Sequence, residues 1–138
     1  MRKLVLVTSL FLLVLCSCKS VQRDIQFTTL VQTSQSWNGI QLPSYPTYEP
    51  EVTIVKVIIP GKSKLAWHKH PNINAGVLLK GKLTVISENQ DTLRLKAGDP
   101  IVELVDTWHY GINEKNKAAE IVVFYAGTKG VPLSVKKD

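Results

Sequence analysis

Past residue 18 this chain of 138 residues has no cysteine, so the part that folds there has no disulfide and offers no thiolate to a metal. Any metal site must be built from nitrogen and oxygen. Histidine is scarce as well: His68, His70 and His109 are the only three. No segment after the N-terminal apolar run shows the i, i+3, i+4 spacing of an amphipathic helix, and there is no internal repeat or low-complexity tract. No RNP, zinc-finger or helix-turn-helix pattern occurs, so nucleic acid is not indicated as a partner. Acidic residues are missing between Val52 and Ser87, where Lys56, Lys62, Lys64, Lys69, Lys80 and Lys82 stand. Such a local positive field suits an anionic small molecule, lipid or glycan, or is simply a solvated lysine-decorated sheet face.

The longest apolar run is too short for a confident membrane span, which needs about 20 residues. It extends from Leu4 to Leu15 behind the basic Arg2 and Lys3, and it ends at Leu15-Cys16-Ser17-Cys18. A basic n-region, an apolar h-region and a small residue before a cysteine read as a secretory signal, and the junction resembles the lipobox of bacterial lipoproteins. Cleavage before Cys18 places the small Ser17 at the cut, whereas cleavage before Cys16 would place Leu15 there. A plain signal peptide or a short anchor helix is the simpler alternative. Loss of residues 1–17 removes Arg2 and Lys3 and lowers the formal charge from +6 to +4. The expectation is a cell-envelope protein, periplasm-facing or in the outer membrane, held by lipid on Cys18. Lys19, where an acidic residue would otherwise follow, resembles the pattern for outer-membrane sorting.

Residues 18–36 read as a tether that turns into an edge strand, with Ile25, Phe27, Thr29 and Val31 alternating. The folded domain is expected over 37–138. It begins with Trp37 and a loop holding Pro43, Pro46 and Pro50, in which Trp37, Tyr45 and Tyr48 either line a ligand mouth or pin the loop to a core. From Glu51 onward come short β-rich runs punctuated by Gly, Pro, Asn and Asp: VTIVKVII, LAWHKH, AGVLL, KLTVIS, TLRLK, IVELV, WHYGI and AAEIVVFYAG, then a polar tail. Strands this short and regularly spaced predict an all-β sandwich or barrel.

Within LAWHKH, strand alternation sends His68 and His70 to one face and Lys69 to the other. The neighbouring rings Trp67, Trp108 and Tyr110 are expected on the face away from the histidines. Gly61, His68, His70, Asn74 and Gly81 form a series similar to the first motif of the cupins, in which a glycine is followed by His-x-His, a Glu and a second glycine. Gly98, His109 and Asn113 resemble the second motif, although Leu104-Val105-Asp106 stands where Pro-x-Gly is usual. Six residues rather than five separate Gly61 from His68. The resemblance covers about residues 51–127 and implies a double-stranded β-helix, or jelly-roll barrel.

The resemblance further implies one metal site from His68, His70 and His109, with Asn74 where the family has its acidic ligand. An amide oxygen can coordinate but brings no charge. Imidazole suits Fe, Ni, Zn or Cu, with Mn in reach of an oxygen ligand, and Mg or Ca is not expected. Glu103 stands near His109 as a replacement carboxylate, a general base, or a solvated strand residue. Asn72 and Asn113 are candidates to orient the ligands by hydrogen bonds. Cupins include dioxygenases, isomerases, sugar-binding and storage proteins, so two functions stay open. One is a metal-dependent enzyme acting on a small organic molecule; the other is a noncatalytic binding or sensing module. Homodimerisation through residues 25–35 is the family expectation.

Cys18→Ser should release the exported protein from the detergent phase and abolish incorporation of labelled fatty acid. A variant that is labelled and partitions as the wild type does would refute lipidation at Cys18.

Overall fold

The computed structural model describes residues 24–138, so the expected signal segment and Cys18 lie outside the described residues. Ten strands follow one another: β1 (Pro50–Ile59), β2 (Ser63–Lys64), β3 (His68–Lys69), β4 (Ile73–Lys80), β5 (Lys82–Ser87), β6 (Thr92–Lys96), β7 (Pro100–Val102), β8 (His109–Asn113), β9 (Ala119–Thr128) and β10 (Val135–Lys136). One sheet has the order β1-β9-β4-β7 and the other β10-β3-β8-β5-β6, with β2 also on β8. Every strand pair is antiparallel. This is the all-β jelly roll that the spacing of the runs predicts.

Alternation explains which side chains fill it. Along β9, Ile121, Val123 and Tyr125 are buried while Phe124 is exposed, and β5 buries Leu83 and Val85. With Ile59, Leu78, Leu95 and Ile101 they form the core between the sheets. Ile121 and Val123 come from β9, the long central strand that pairs with both β1 and β4.

Two expectations about the N-terminal part are corrected. Residues 25–33 form no strand. Thr29, Leu30 and Val31 instead lie over the outer face of the first sheet, beside Ala75, Val77 and Phe124, and β4 there already has its backbone partners in β9 and β7. Trp37 packs against the core and its N–H donates to the Val102 carbonyl at 2.9 Å, so it pins the loop, whereas Tyr45 and Tyr48 are exposed. The lysines of the acid-free stretch are held outside. Lys56 and Lys80 meet Glu120 at 2.9 and 3.4 Å, Lys69 meets Asp106 at 3.2 Å, and Lys64 lies 3.8 Å from the centroid of the Tyr110 ring.

Gly61 and Asn113, the outer ends of the two motifs, meet in one latch. The Asn113 Nδ2 lies 3.1 Å from the Ile59 and Pro60 carbonyls and 2.9 Å from that of Lys117, and its Oδ1 accepts from the Lys115 N–H at 3.0 Å. A Cβ on Gly61 would fall 2.1 Å from the Asn116 carbonyl oxygen, so only glycine allows this approach. Asn113 therefore orients no histidine, because its amide is fully used by main-chain groups. Asn113→Ala should leave several buried groups unpaired and lower unfolding stability by about 3 kcal/mol. Metal bound per folded chain should be unchanged; selective metal loss in a stable variant would restore the ligand-orienting role.

Candidate metal centre

The three histidines meet because β3 pairs with β8 so that His68 lies directly opposite His109. Directly opposed residues share a face of the sheet. His70 follows two residues after His68 and bridges to Val105 in parallel fashion. Ring centroids are 4.5 Å apart for His68 and His109, and 5.0 Å apart for each of the other two pairs. The outward face carries the aromatics as expected, with Trp67 and Tyr110 edge to face at 4.6 Å.

Each imidazole is oriented by the main chain. The Nδ1 of His68 donates to the Ala66 carbonyl at 2.9 Å, that of His70 to Leu133 at 2.8 Å, and that of His109 to Thr107 at 2.8 Å. A carbonyl oxygen can only accept, so every Nδ1 carries the hydrogen and every Nε2 keeps its lone pair. One ligand atom from each ring lies within 4.8 Å of the other two. Burial pushes His70 and His109 down to about 4, so both are neutral at pH 7 and ready to coordinate.

Glu103 enters this cluster from just beyond β7 and is buried, 8% exposed. The solvated-strand reading is thereby overturned. Its N–H donates to the Asn74 carbonyl at 3.0 Å and its own carbonyl accepts from the Ser36 hydroxyl at 2.8 Å. The Oε2 stands 3.6 Å from the His109 Nε2, too far for a hydrogen bond, and both atoms are buried without a partner. Burial raises the Glu103 carboxyl to about 7, against a smaller lowering by the Leu104 main chain. An orphaned lone-pair nitrogen facing an orphaned carboxylate oxygen fits a cation between them. Two donors each about 2.1 Å from one ion stand roughly 3 to 3.4 Å apart. The residues present therefore fit a divalent transition metal.

Asn74 is buried beside this cluster; its Nδ2 donates to the Asn72 carbonyl at 3.2 Å and its Oδ1 has no partner. Glu103, not Asn74, lines the small chamber of about 90 Å³ at whose wall the three histidines stand. Asn72 does not orient a histidine either, since its Nδ2 sits against Gly127. Tyr125, which sequence reasoning missed, also lines the chamber and lies 5.6 Å from His70 between ring centroids. Its signal was the alternation of β9, which sets one tyrosine in register with the inward Ile121 and Val123. Burial first, then the Glu103 charge, pushes the Tyr125 hydroxyl up to about 12. A vestibule of about 210 Å³ shares His68, His70 and Tyr125 with the chamber and adds Ser134 and Lys136. A larger cleft of about 410 Å³ lies under the proline-rich loop and has no histidine in its wall.

These environments set a pH dependence for the metal-free protein. Folding holds His70 and His109 neutral, so between pH 4 and 6.5 the unfolded chain binds more protons and stability falls as pH drops. Glu103 has the opposite sense between 4.5 and 7, since its native form keeps the proton. Two groups oppose one, so urea unfolding of the EDTA-treated protein should show a loss on the order of 2 kcal/mol between pH 6.5 and 4.5. Glu103→Gln should steepen that loss. Flat profiles for both proteins would mean that the imidazoles are not held neutral.

The cupin domain family matches residues 55–125. Among solved structures, an oxalate oxidase in complex with glycolate is 20% identical, with a TM-score of 0.53 over 62% of this chain and 45% of that one. The DMSP lyase DddQ of Ruegeria pomeroyi is 18% identical, with a TM-score of 0.56 over 72% and 47%. An oxalate decarboxylase of Lactobacillus farciminis in a formate complex is 18% identical, with a TM-score of 0.54 over 62% and 26%. The match spans about half or less of the length of these relatives, and at such identity it concerns the fold alone. No curated protein matches the chain. With two antiparallel sheets closing on three convergent histidines, and a family match over the barrel strands, the chain belongs to the cupin family.

Proposed function

We propose that His68, His70, His109 and Glu103 hold one divalent transition metal, and that the chamber beside it takes a small organic molecule for metal-dependent chemistry. The observation that carries this reading is the set of three Nδ1-to-carbonyl hydrogen bonds, which leaves three Nε2 lone pairs beside the unpartnered Glu103 Oε2. Glu103 takes over the charge that Asn74 does not supply. His68, His70, His109 and Glu103 would hold the ion, which when bound would supply Lewis-acid or redox chemistry toward a small organic molecule. Fe, Ni, Zn, Cu and Mn all suit such a donor set. The relatives seen with glycolate and formate hold small carboxylates, which supports an anionic ligand here. Attachment to the cell envelope through Cys18 and pairing with a second copy belong to the same proposal, resting on the sequence.

Elemental analysis of protein purified without an affinity tag or chelator tests the centre. The wild type should carry close to one ion per chain, and His109→Ala should lose most of it. Glu103→Gln removes a charge worth a few kcal/mol at an effective dielectric of about 20, so metal affinity should fall by about 100-fold or more. Asn74→Ala should change affinity by no more than about 10-fold. A wild-type protein that binds no transition metal, or a Glu103→Gln protein of unchanged affinity, would overturn the assignment.

A further inference from the structure

The polar C-terminal tail forms β10, and its register against β3 sets Lys136 opposite His68 and Val135 opposite Lys69. His68 is in turn opposite His109, and His109 opposite Ser87. Directly opposed residues in antiparallel strands share a face, so one row on the histidine face crosses the second sheet: Lys136, exposed at the sheet edge, then His68, His109 and Ser87. The next residue confirms the alternation, because Lys137 lies on the outer face, its Nζ 5.4 and 5.7 Å from the ring centroids of Trp108 and Trp67.

Among the described residues, Lys136 is the one lysine or arginine in the walls of the chamber and the vestibule together. Four lysines of the outer surface, Lys56, Lys69, Lys80 and Lys96, have carboxylate partners. No carboxylate among the described residues lies within ion-pair distance of Lys136. The vestibule wall holds no acidic residue either. An ammonium one strand from three metal-facing imidazoles repels a dication unless an anion stands between them. Both cavities, at about 90 and 210 Å³, are smaller than the roughly 300 Å³ of drug-sized sites, and Val57 and Leu65 give them an apolar wall.

We infer that Lys136 is the anion anchor of the vestibule and that the ligand is a short-chain organic acid. One carboxylate is held by Lys136 with the Ser134 hydroxyl beside it, the short carbon body lies along Val57 and Leu65, and the far end enters the chamber beside Tyr125. This deepens the metal-centre reading, on which the far-end contact rests, but the Lys136 contact itself needs no metal.

Binding of short-chain dicarboxylates from two to five carbons, and of their half-amides, is measured by calorimetry on the full chain in detergent. Metal-loaded and EDTA-treated protein are compared at low salt, and metal content is measured in parallel. The wild type should bind at least one dicarboxylate; Lys136→Gln should weaken it by about 10- to 100-fold, and Lys136→Arg should retain it within several-fold. Binding of the half-amide, which keeps one carboxylate for Lys136, should also be weakened by Lys136→Gln, and metal content should not change. A Lys136-dependent difference that persists after EDTA treatment keeps this inference even if the protein proves to hold no metal. Equal affinity of wild type and Lys136→Gln for every dicarboxylate, or no binding to the wild type, would overturn it.

Discussion

The site depends on one pairing, His68 opposite His109 between β3 and β8. A slip of β3 by one residue would turn His68 and His70 to the outside and bring Lys69 toward the chamber, and a slip of β8 would exchange His109 for Tyr110 in the same way. β3 has only two residues in the ladder, too few to fix a register by backbone bonds alone. The opposite face supplies the rest. Trp67 packs on Tyr110, Lys69 lies over Trp108 and Lys137 lies between Trp67 and Trp108, so a layer of rings and ammonium groups holds the register that the inner face needs. The aromatics beside each histidine are thus packing residues with a direct bearing on the site.

Burying these groups together is unfavourable without a cation. His70 and His109 must stay neutral, Glu103 is driven toward its protonated form, and three polar atoms near the centre, on Asn74, Glu103 and His109, have no partner in the fold. A dication would reverse the histidine and Glu103 terms at once, since it favours lone-pair imidazole and ionised carboxylate alike. The main-chain carbonyls of Ala66, Thr107 and Leu133 add nothing to the barrel's own ladder. Their effect is to fix the tautomer and aim of the three rings. A core filled only for stability would place aliphatic side chains at these positions.

What could be read from the sequence were the features with a period. The alternation of LAWHKH set His68 and His70 on one face, and the spaced β runs announced the barrel. What could not be read were contacts between distant segments. IVELV suggested that Glu103 alternates outward, but β7 ends at Val102 and the chain turns inward, so Ile101 through Leu104 are all buried. The same limit hid β10: a polar tail has no strand signal of its own, and it pairs because β3 offers a free edge. Residues 25–31 erred the other way, having the alternation of a strand but lying over the face of β4, whose backbone is already paired on both sides. Asn113 matched a motif whose position was right and whose role was architectural.

In the proposed centre the carboxylate comes from Glu103, beside β4, rather than from position 74. Asn74 sits on β4, and its carbonyl accepts the Glu103 N–H at 3.0 Å, so the two positions are immediate neighbours in space. A ligand on β4 would be fixed on both sides by β9 and β7. Glu103 lies beyond the end of its strand, where only one ladder neighbour remains, and the missing restraint comes from the N-terminal loop. The Ser36 hydroxyl donates to the Glu103 carbonyl at 2.8 Å and the Trp37 N–H donates to the preceding Val102 carbonyl at 2.9 Å. That loop is closed on itself by the Ser36 and Leu42 N–H groups, which donate to the carbonyls of Ile40 and Ser34. Residues 24–42, which contribute no strand to either sheet, therefore act as the brace of Glu103. In the proposed centre this ties the position of the loop to the charge balance of the site.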